Sequence, residues 1–157
     1  MSVEREYLDK FLDVQRDALI DAVSGLTDEQ ARTKLVTSLT TPISLVKHCA
    51  AAERSWFQRT ISGWGPEKFT GYARGDDASF EVPADQTLAQ VIDEFRQACA
   101  ISRELGASHD LDEEFAHWRL GDVSMRFIYL HMIRELARHA GHADILVEQL
   151  TRPIQPT

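Results

Sequence analysis

The chain has 157 residues, 43% hydrophobic and 27% charged, which is the composition of an ordinary globular protein. Its 17 Lys and Arg against 25 Asp and Glu give a net charge of −8 without any basic run, which argues against nucleic acid as a partner. Its apolar stretches are far shorter than the roughly 20 residues that span a bilayer, and the charged N-terminal residues do not resemble a signal peptide. We therefore predict one cytoplasmic domain over residues 1–157, with no membrane partner.

The first half of the chain predicts two long amphipathic helices. Apolar residues at steps of three and four predict the first over about residues 3–24. A T-x-x-Q capping box that starts at Thr27 predicts a short connecting helix. Thr41 then supplies the cap, and a first-turn proline the start, of a second long helix from about Pro42 to Ser62.

A long segment from Gly63 to Gln86 follows the second helix. It is rich in glycine and lacks sustained periodicity, which predicts a loop with at most one short irregular strand near Phe80 to Val82. Loops of this length within a domain are usually functional or disordered. This loop is therefore a candidate wall of a binding site.

The second half of the chain predicts two further long helices. A second T-x-x-Q box at Thr87 begins the third helix, which is predicted to end at Gly106. After another loop, from Ala107 to Val123, Ser124 caps a fourth helix that Pro153 ends. Four long helices without a convincing strand pair predict an all-α four-helix bundle.

Both cysteines, Cys49 and Cys99, fall within helical patterns and lack the C-x-x-C spacing of a redox or zinc site. A disulfide is not expected in a reducing compartment. The favoured interpretation is two buried, small apolar side chains, and the alternative is a reactive thiol.

The fourth helix carries a concentration of polar groups. Glu135, His139 and His142 fall within an arc of about 60° at 100° per residue, and His131 and Arg138 fall just outside it. The arc overlaps the apolar stripe, so these groups point toward the bundle interior, where an unpaired charge or imidazole is costly. A divalent metal ion would compensate that cost, and nitrogen and carboxylate ligands with open positions are typical of a catalytic metal site.

The second helix offers a remote ligand. His48 lies on its apolar face, and together with Glu135 and His139 it would be the third ligand. Trp56, eight residues after His48, falls on the same face and could line a pocket. His109 and His117 lie in the loop after the third helix and are expected to be solvated.

Two histidines of the fourth helix keep more than one interpretation. His131 is either a hydrogen-bond donor to a ligand residue or a partly exposed tip. His142 is an alternative metal ligand, a base or an orienting group.

Two segments, L-V-K-H-C-A-A-A-E-R-S-W-F (Leu45 to Phe57) and L-H-M-I-R-E-L-A-R-H-A-G-H-A-D-I-L (Leu130 to Leu146), carry a family resemblance. Together they resemble the DinB-like (DinB/YfiT) superfamily, in particular its actinobacterial branch related to mycothiol-dependent maleylpyruvate isomerase and mycothiol S-transferases. The resemblance covers nearly the whole chain. It implies a four-helix bundle that holds a divalent metal ion between the second and fourth helices.

The resemblance also implies a ligand set. Most members use one histidine of the second helix and two histidines four residues apart on the fourth helix. This chain has Glu135 in the first of the two positions, which is similar to the His/Glu/His set of mycothiol-dependent maleylpyruvate isomerase. The implied ligands are His48, Glu135 and His139, and the implied metal is Zn²⁺, with Ni²⁺ or another divalent ion as alternatives.

The chemistry that the resemblance implies is thiol transfer, in which a bound metal activates a low-molecular-weight thiol such as mycothiol for attack on a small electrophile. His142 and Arg138 are candidate catalytic residues, and Trp56 and Arg138 are candidates for binding the cosubstrate, whose carboxylate Arg138 or Arg134 could pair with. The alternatives are a metal-dependent hydrolase and a non-catalytic bundle that forms a homodimer.

Overall fold

The computed structural model describes residues 2–65 and 71–152, and these are mostly helical. The elements follow in the order α1 (Val3–Val23), α2 (Asp28–Ala31), α3 (Pro42–Glu53), a π-helical segment (Arg54–Arg59), α4 (Thr60–Ser62), a 3₁₀ helix (Asp77–Phe80), α5 (Leu88–Ala107), β1 (Glu114–His117), β2 (Gly121–Ser124) and α6 (Met125–Thr151). The four long helices and the short connecting helix predicted from the sequence are all present. Pro153, the predicted end of the last one, lies outside the described residues.

Side-chain caps begin the helices where the sequence predicts them. Thr27 and Thr87 each accept a hydrogen bond from the backbone N–H three residues later, and the Gln side chain at that position accepts one from the backbone N–H of the threonine. Thr41 forms the same reciprocal arrangement with Ser44, with Pro42 in the first turn. These contacts satisfy N–H groups that have no partner within the helix, so they fix the points at which α2, α3 and α5 begin.

The long helices pack around one apolar core. α1 lies against α6, and α3 contacts both α5 and α6. The core contains side chains with no more than 1% exposure from each of these helices, among them Leu12, Ile43, Phe95, Met132 and Leu136. Burial of each such side chain contributes about 1.5–3 kcal/mol. The site described below lies where α3 and α6 meet.

The helix that follows Pro42 is continuous but not regular. Its segment Arg54–Arg59 is π-helical, and the α-helical turn Thr60–Ser62 then completes it. The wider turn changes which side chains face inward, and Ser55, Trp56 and Phe57 are all buried. Short π-helical segments are frequent at functional sites.

The short strand predicted near Phe80 to Val82 is wrong. The residues just before it form the 3₁₀ helix Asp77–Phe80 instead, because Asp76 caps this turn by accepting a hydrogen bond from the Ala78 N–H at 3.2 Å. Residues 66–70 of the predicted loop lie outside the described residues.

The segment between α5 and α6, predicted as a loop, contains an antiparallel hairpin. β1 and β2 pair with Glu114 opposite Ser124 and His117 opposite Gly121. Gly121 has a φ of 79°, a conformation that favours glycine and returns the chain into β2. Four-residue strands carry too little alternation to be recognised in the sequence.

Gly106 was predicted to end α5, but the helix extends one residue further, to Ala107. A glycine is needed at this position for close packing rather than to end the helix. A Cβ atom at Gly106 would lie 2.5 Å from the Tyr129 hydroxyl oxygen, so the glycine allows α5 to approach α6.

Among the described residues, no helix combines the length and the apolar character needed to cross a membrane. Cys49 and Cys99 are both free and buried, as predicted. Burial raises the pKa of each thiol, which keeps both protonated and unreactive at neutral pH.

Candidate metal centre

Three predicted ligands meet between α3 and α6. His48 projects from α3, and Glu135 and His139 project from successive turns of α6. One oxygen of Glu135, Oε1, lies 3.1 Å from Nε2 of His48 and 3.1 Å from Nε2 of His139. One ligand atom from each of the three residues lies within 4.8 Å of the others.

The arrangement fits a metal ion. Two imidazole nitrogens and a carboxylate oxygen are the donors that Zn²⁺ and similar ions take in proteins. Ligand atoms on two corners of a tetrahedron with bonds of 2.0–2.1 Å lie about 3.3 Å apart, close to the observed separations from Glu135. His48, Glu135 and His139 could therefore hold a divalent metal ion.

Electrostatics keep the carboxylate of Glu135 in its ligand form. Hydrogen bonds from His139 and His48 hold the pKa of Glu135 well below its usual range, so the group stays ionised. An ionised carboxylate only accepts hydrogen bonds, so both imidazoles donate to it through Nε2. A metal ion would replace these two protons.

The 3₁₀ helix Asp77–Phe80 orients the ring of His48. Nδ1 of His48 lies 2.8 Å from Oγ of Ser79, and the ring of Phe80 stacks on the imidazole at 4.1 Å and 9°. A hydroxyl can donate to Nδ1 or accept from it, so Ser79 can adapt when a metal takes the Nε2 lone pair. The ring of His139 lies edge-on to His48 at 4.7 Å.

His139 is more deeply buried than His48 and Glu135. Its residue is 8% exposed, and its Nδ1 atom is buried without a hydrogen-bond partner among the described residues. An unpaired buried nitrogen costs stability, so packing alone does not account for a histidine at this position.

A cavity of about 180 Å³ opens beside His48 and Glu135. His48 and Glu135 line one part of it, and Trp56, His131 and His117 line another. The long loop after the second predicted helix also lines this cavity, through Ala73 and Gly75. Trp56 lines the cavity as its position on the helix predicts.

His117 is a cavity residue that the sequence did not indicate. It was expected to be solvated, but it lies in β1, is 5% exposed, and stacks on Trp56 at 4.4 Å and 20°. The wrong expectation arose because the hairpin was not recognised, and the burial of a strand residue depends on what covers it. His109, in the same loop, is partly exposed and pairs with Glu113 at 2.9 Å.

His131 lines the cavity from α6 and lies against Trp56 at 3.8 Å between ring centroids. Its Nδ1 atom accepts a hydrogen bond of 3.1 Å from Arg134. Burial lowers the pKa of His131 to about 4, so its imidazole is neutral at physiological pH. His131 is partly exposed, one of the two interpretations that the sequence left open, and among the described residues its hydrogen bond is to Arg134 rather than to His48 or Glu135.

His142 and Arg138 are both exposed on α6. The ring of His142 lies edge-on to His139 at 5.6 Å, and burial together with His139 and Arg138 lowers the pKa of His142. Arg138 is not among the residues that line the cavity. The catalytic and cosubstrate-binding roles predicted for these two residues stay predictions.

Helices that bring a His, Glu and His donor set to a cavity define a candidate metalloprotein. Comparison with known families gives a match over residues 7–152 to the mycothiol S-transferase family, and the chain belongs to that family. Membership confirms the resemblance to mycothiol-related DinB-like proteins and indicates a mycothiol S-transferase-like function. Comparison with curated proteins gives no match.

Proposed function

We propose that the protein is a metal-dependent S-transferase that joins a low-molecular-weight thiol, mycothiol, to a small electrophile. The observation that carries this proposal is the convergence of His48, Glu135 and His139 beside a cavity with aromatic walls. The family supports a thiol as one substrate. The helices would form a four-helix bundle, and residues 1–157 a single domain.

His48, Glu135 and His139 would hold the metal ion, and Zn²⁺ suits two imidazoles and one carboxylate better than the harder Mg²⁺ or Ca²⁺. Ni²⁺ also accepts imidazole ligands. When bound, such an ion lowers the pKa of a coordinated thiol, so that the thiolate is present at neutral pH.

The protein's own residues orient the centre and shape the space next to it. Ser79 and Phe80 fix the ring of His48, and Trp56 offers a flat apolar surface on which an electrophile can pack. At about 180 Å³ the cavity suits a small electrophile and the thiol end of a cosubstrate rather than all of a large one.

A neighbouring cavity could take the remainder of the thiol. It has a volume of about 320 Å³ and is lined by Ser79 together with Lys47, Arg54, Tyr72 and Arg74 among others. Long polar side chains of this kind can hydrogen-bond a polar cosubstrate. We propose it as the place where the part of the thiol far from sulfur binds.

The test compares metal-loaded and metal-free protein in conjugating mycothiol, bacillithiol or glutathione to chlorodinitrobenzene or monochlorobimane. The rate should rise with metal occupancy and be lost in Glu135→Ala and His139→Ala while circular dichroism shows unchanged helix content. In the cobalt form, a thiolate ligand should change the visible absorbance when the preferred thiol is added. Equal rates with and without metal for every thiol would contradict the proposal, and metal-dependent ester hydrolysis in their place would favour a hydrolase.

A further inference from the structure

The turn of the hairpin holds the imidazole of His117 in one tautomer. Its Nδ1 atom accepts hydrogen bonds from the backbone N–H groups of Arg119 and Leu120, each at 3.2 Å. Because backbone amides only donate, Nδ1 carries no proton. The proton of the neutral ring therefore lies on Nε2.

That N–H group lies on the ring nitrogen farther from the backbone, at the tip of a side chain that lines the cavity. His117 lines the cavity, and its Nε2 atom has no hydrogen-bond partner among the described residues. Stacking on Trp56 fixes the plane of the ring and thus the direction in which this hydrogen points.

His131, which also contacts the ring of Trp56, has the same tautomer. The guanidinium of Arg134 can only donate, so Nδ1 of His131 is also an acceptor and its proton lies on Nε2. His117 is better suited as a donor, since two rigid backbone groups orient it, whereas Arg134 is an exposed, flexible side chain. Burial, with Arg119 and Arg59 nearby, lowers the pKa of His117, so the ring stays neutral.

We propose that His117 donates its Nε2–H to the carbonyl oxygen of an α,β-unsaturated carbonyl electrophile, and that such conjugated carbonyl compounds are the substrate class of this cavity. The proposal rests on the function proposed above, because the thiolate would come from the centre formed by His48, Glu135 and His139. A neutral, pre-oriented donor directed at an oxygen that gains charge stabilises the transition state more than the ground state.

The reaction balances without an oxidant or a reductant. A sulfur lone pair forms a C–S bond with the β-carbon, the C=C π electrons shift to the bond between the α-carbon and the carbonyl carbon, and the carbonyl π electrons move to oxygen. The resulting enolate oxygen accepts the hydrogen bond from His117, which keeps its proton. Water then protonates the α-carbon, and the hydroxide formed is neutralised by the proton that the thiol lost.

The chain offers a matched pair of variants for the test. In His117→Asn, Oδ1 takes the place of Nδ1 and can still accept from Arg119 and Leu120, but no donor remains at the Nε2 position. In His117→Gln, the side-chain amide can place an N–H near the Nε2 position. Metal content and circular dichroism of both variants should equal those of the unaltered protein.

The rate measurement uses one thiol with two electrophiles, cyclohexenone and iodoethane. Cyclohexenone develops charge on a carbonyl oxygen, whereas iodoethane releases iodide and has no oxygen. His117→Asn should lower kcat/KM for cyclohexenone by about 100-fold, the size expected for one lost oxyanion donor, and leave iodoethane unchanged. His117→Gln should recover part of the loss. An unchanged rate with cyclohexenone, or an equal loss with both electrophiles, would overturn the inference.

A second readout does not need turnover. Long-range ¹H–¹⁵N spectra of the metal-loaded protein should show His117 with its proton on Nε2, and added cyclohexanone, an unreactive ketone, should shift that proton's resonance. A proton on Nδ1, or no shift with saturating ketone, would overturn the inference. If the ketone shifts the resonance but neither electrophile reacts with any thiol, the donor is present and the proposed transferase function is the part that fails.

Discussion

Ser79 and His48 are joined by a hydrogen bond of 2.8 Å that links a surface loop to the candidate metal centre. Ser79 is 8% exposed and belongs to the 3₁₀ helix Asp77–Phe80. With Nδ1 of His48 engaged by Ser79, Nε2 is directed at Glu135. The loop thus acts on the centre through the orientation of one imidazole.

Replacement of Ser79 by Ala should weaken metal binding without removing any proposed ligand. Loss of a partner that orients a ligating histidine typically costs about 10–100-fold in metal affinity. Competition with a chromogenic chelator measures the effect. Ser62→Ala, which removes an exposed hydroxyl bonded to Arg59, is the matched control and should bind metal as the unaltered protein does. Equal affinities for the two variants would show that Ser79 does not orient the ligand.

Alanine at His48, Glu135 or His139 should each lower metal occupancy sharply, because each change removes one of three donor groups. Elemental analysis of the purified variants measures this directly. His142→Ala is an informative control, because His142 contacts the ring of His139 but is exposed. A variant that retains full metal content identifies a residue that is not a ligand, and loss of metal in His142→Ala would make His142 the alternative ligand.

Helical periodicity explains why the candidate metal centre could be predicted from the sequence and the position of His117 could not. The positions of Glu135 and His139, one turn apart, follow from the helix repeat, and His48 lies on the apolar face of another helix. His117 reaches the cavity through a hairpin whose strands have four residues each. Its burial depends on Trp56, which is 61 positions away in the chain and lies in a π-helical segment that the sequence pattern does not reveal.

Arg16 and Glu53 form a buried ion pair in the core. Nε and Nη2 of Arg16 donate to the two carboxylate oxygens of Glu53 at 2.7 and 2.8 Å, and the side chains are 3% and 0% exposed. Glu53→Leu should destabilise the protein by about 3–5 kcal/mol, because it leaves a guanidinium buried without its main partner. Thermal or urea unfolding measures the change.

A double variant tests the cause of that loss. Arg16→Met with Glu53→Leu should be more stable than Glu53→Leu alone, because it removes the unpaired charge together with its partner. Arg103→Met, which breaks an exposed pair with Asp13, serves as a control and should change stability by less than about 1 kcal/mol. If the double variant is no more stable than Glu53→Leu, the unpaired charge of Arg16 is not the main cause of the destabilisation.

His131 should make the metal-free protein less stable in mild acid. Its pKa falls from 6.5 to about 4 on folding, through burial and the charges of Arg134, His117 and Arg119, against an opposing effect of Glu135. The unfolded chain therefore binds the extra proton first, so this contribution is complete above pH 6.5 and is lost as the pH falls toward 4. In His131→Phe, stability should depend less on pH in that interval. Identical pH profiles of unfolding would contradict the lowered pKa.

Removal of the metal should lower the melting temperature without unfolding the protein. α3 and α6, which carry the proposed ligands, also bury Leu45, Val46, Met132 and Leu136 completely, and that apolar contact does not require an ion. A metal present at 1,000 times its dissociation constant adds about 4 kcal/mol to the folded state, a contribution that raises the melting temperature but is not the main source of stability. Circular dichroism with and without a chelator should therefore give equal helical signals at room temperature and different midpoints on heating. Loss of the helical signal on chelation at room temperature would assign the ion a structural role and weaken the case for an open catalytic position.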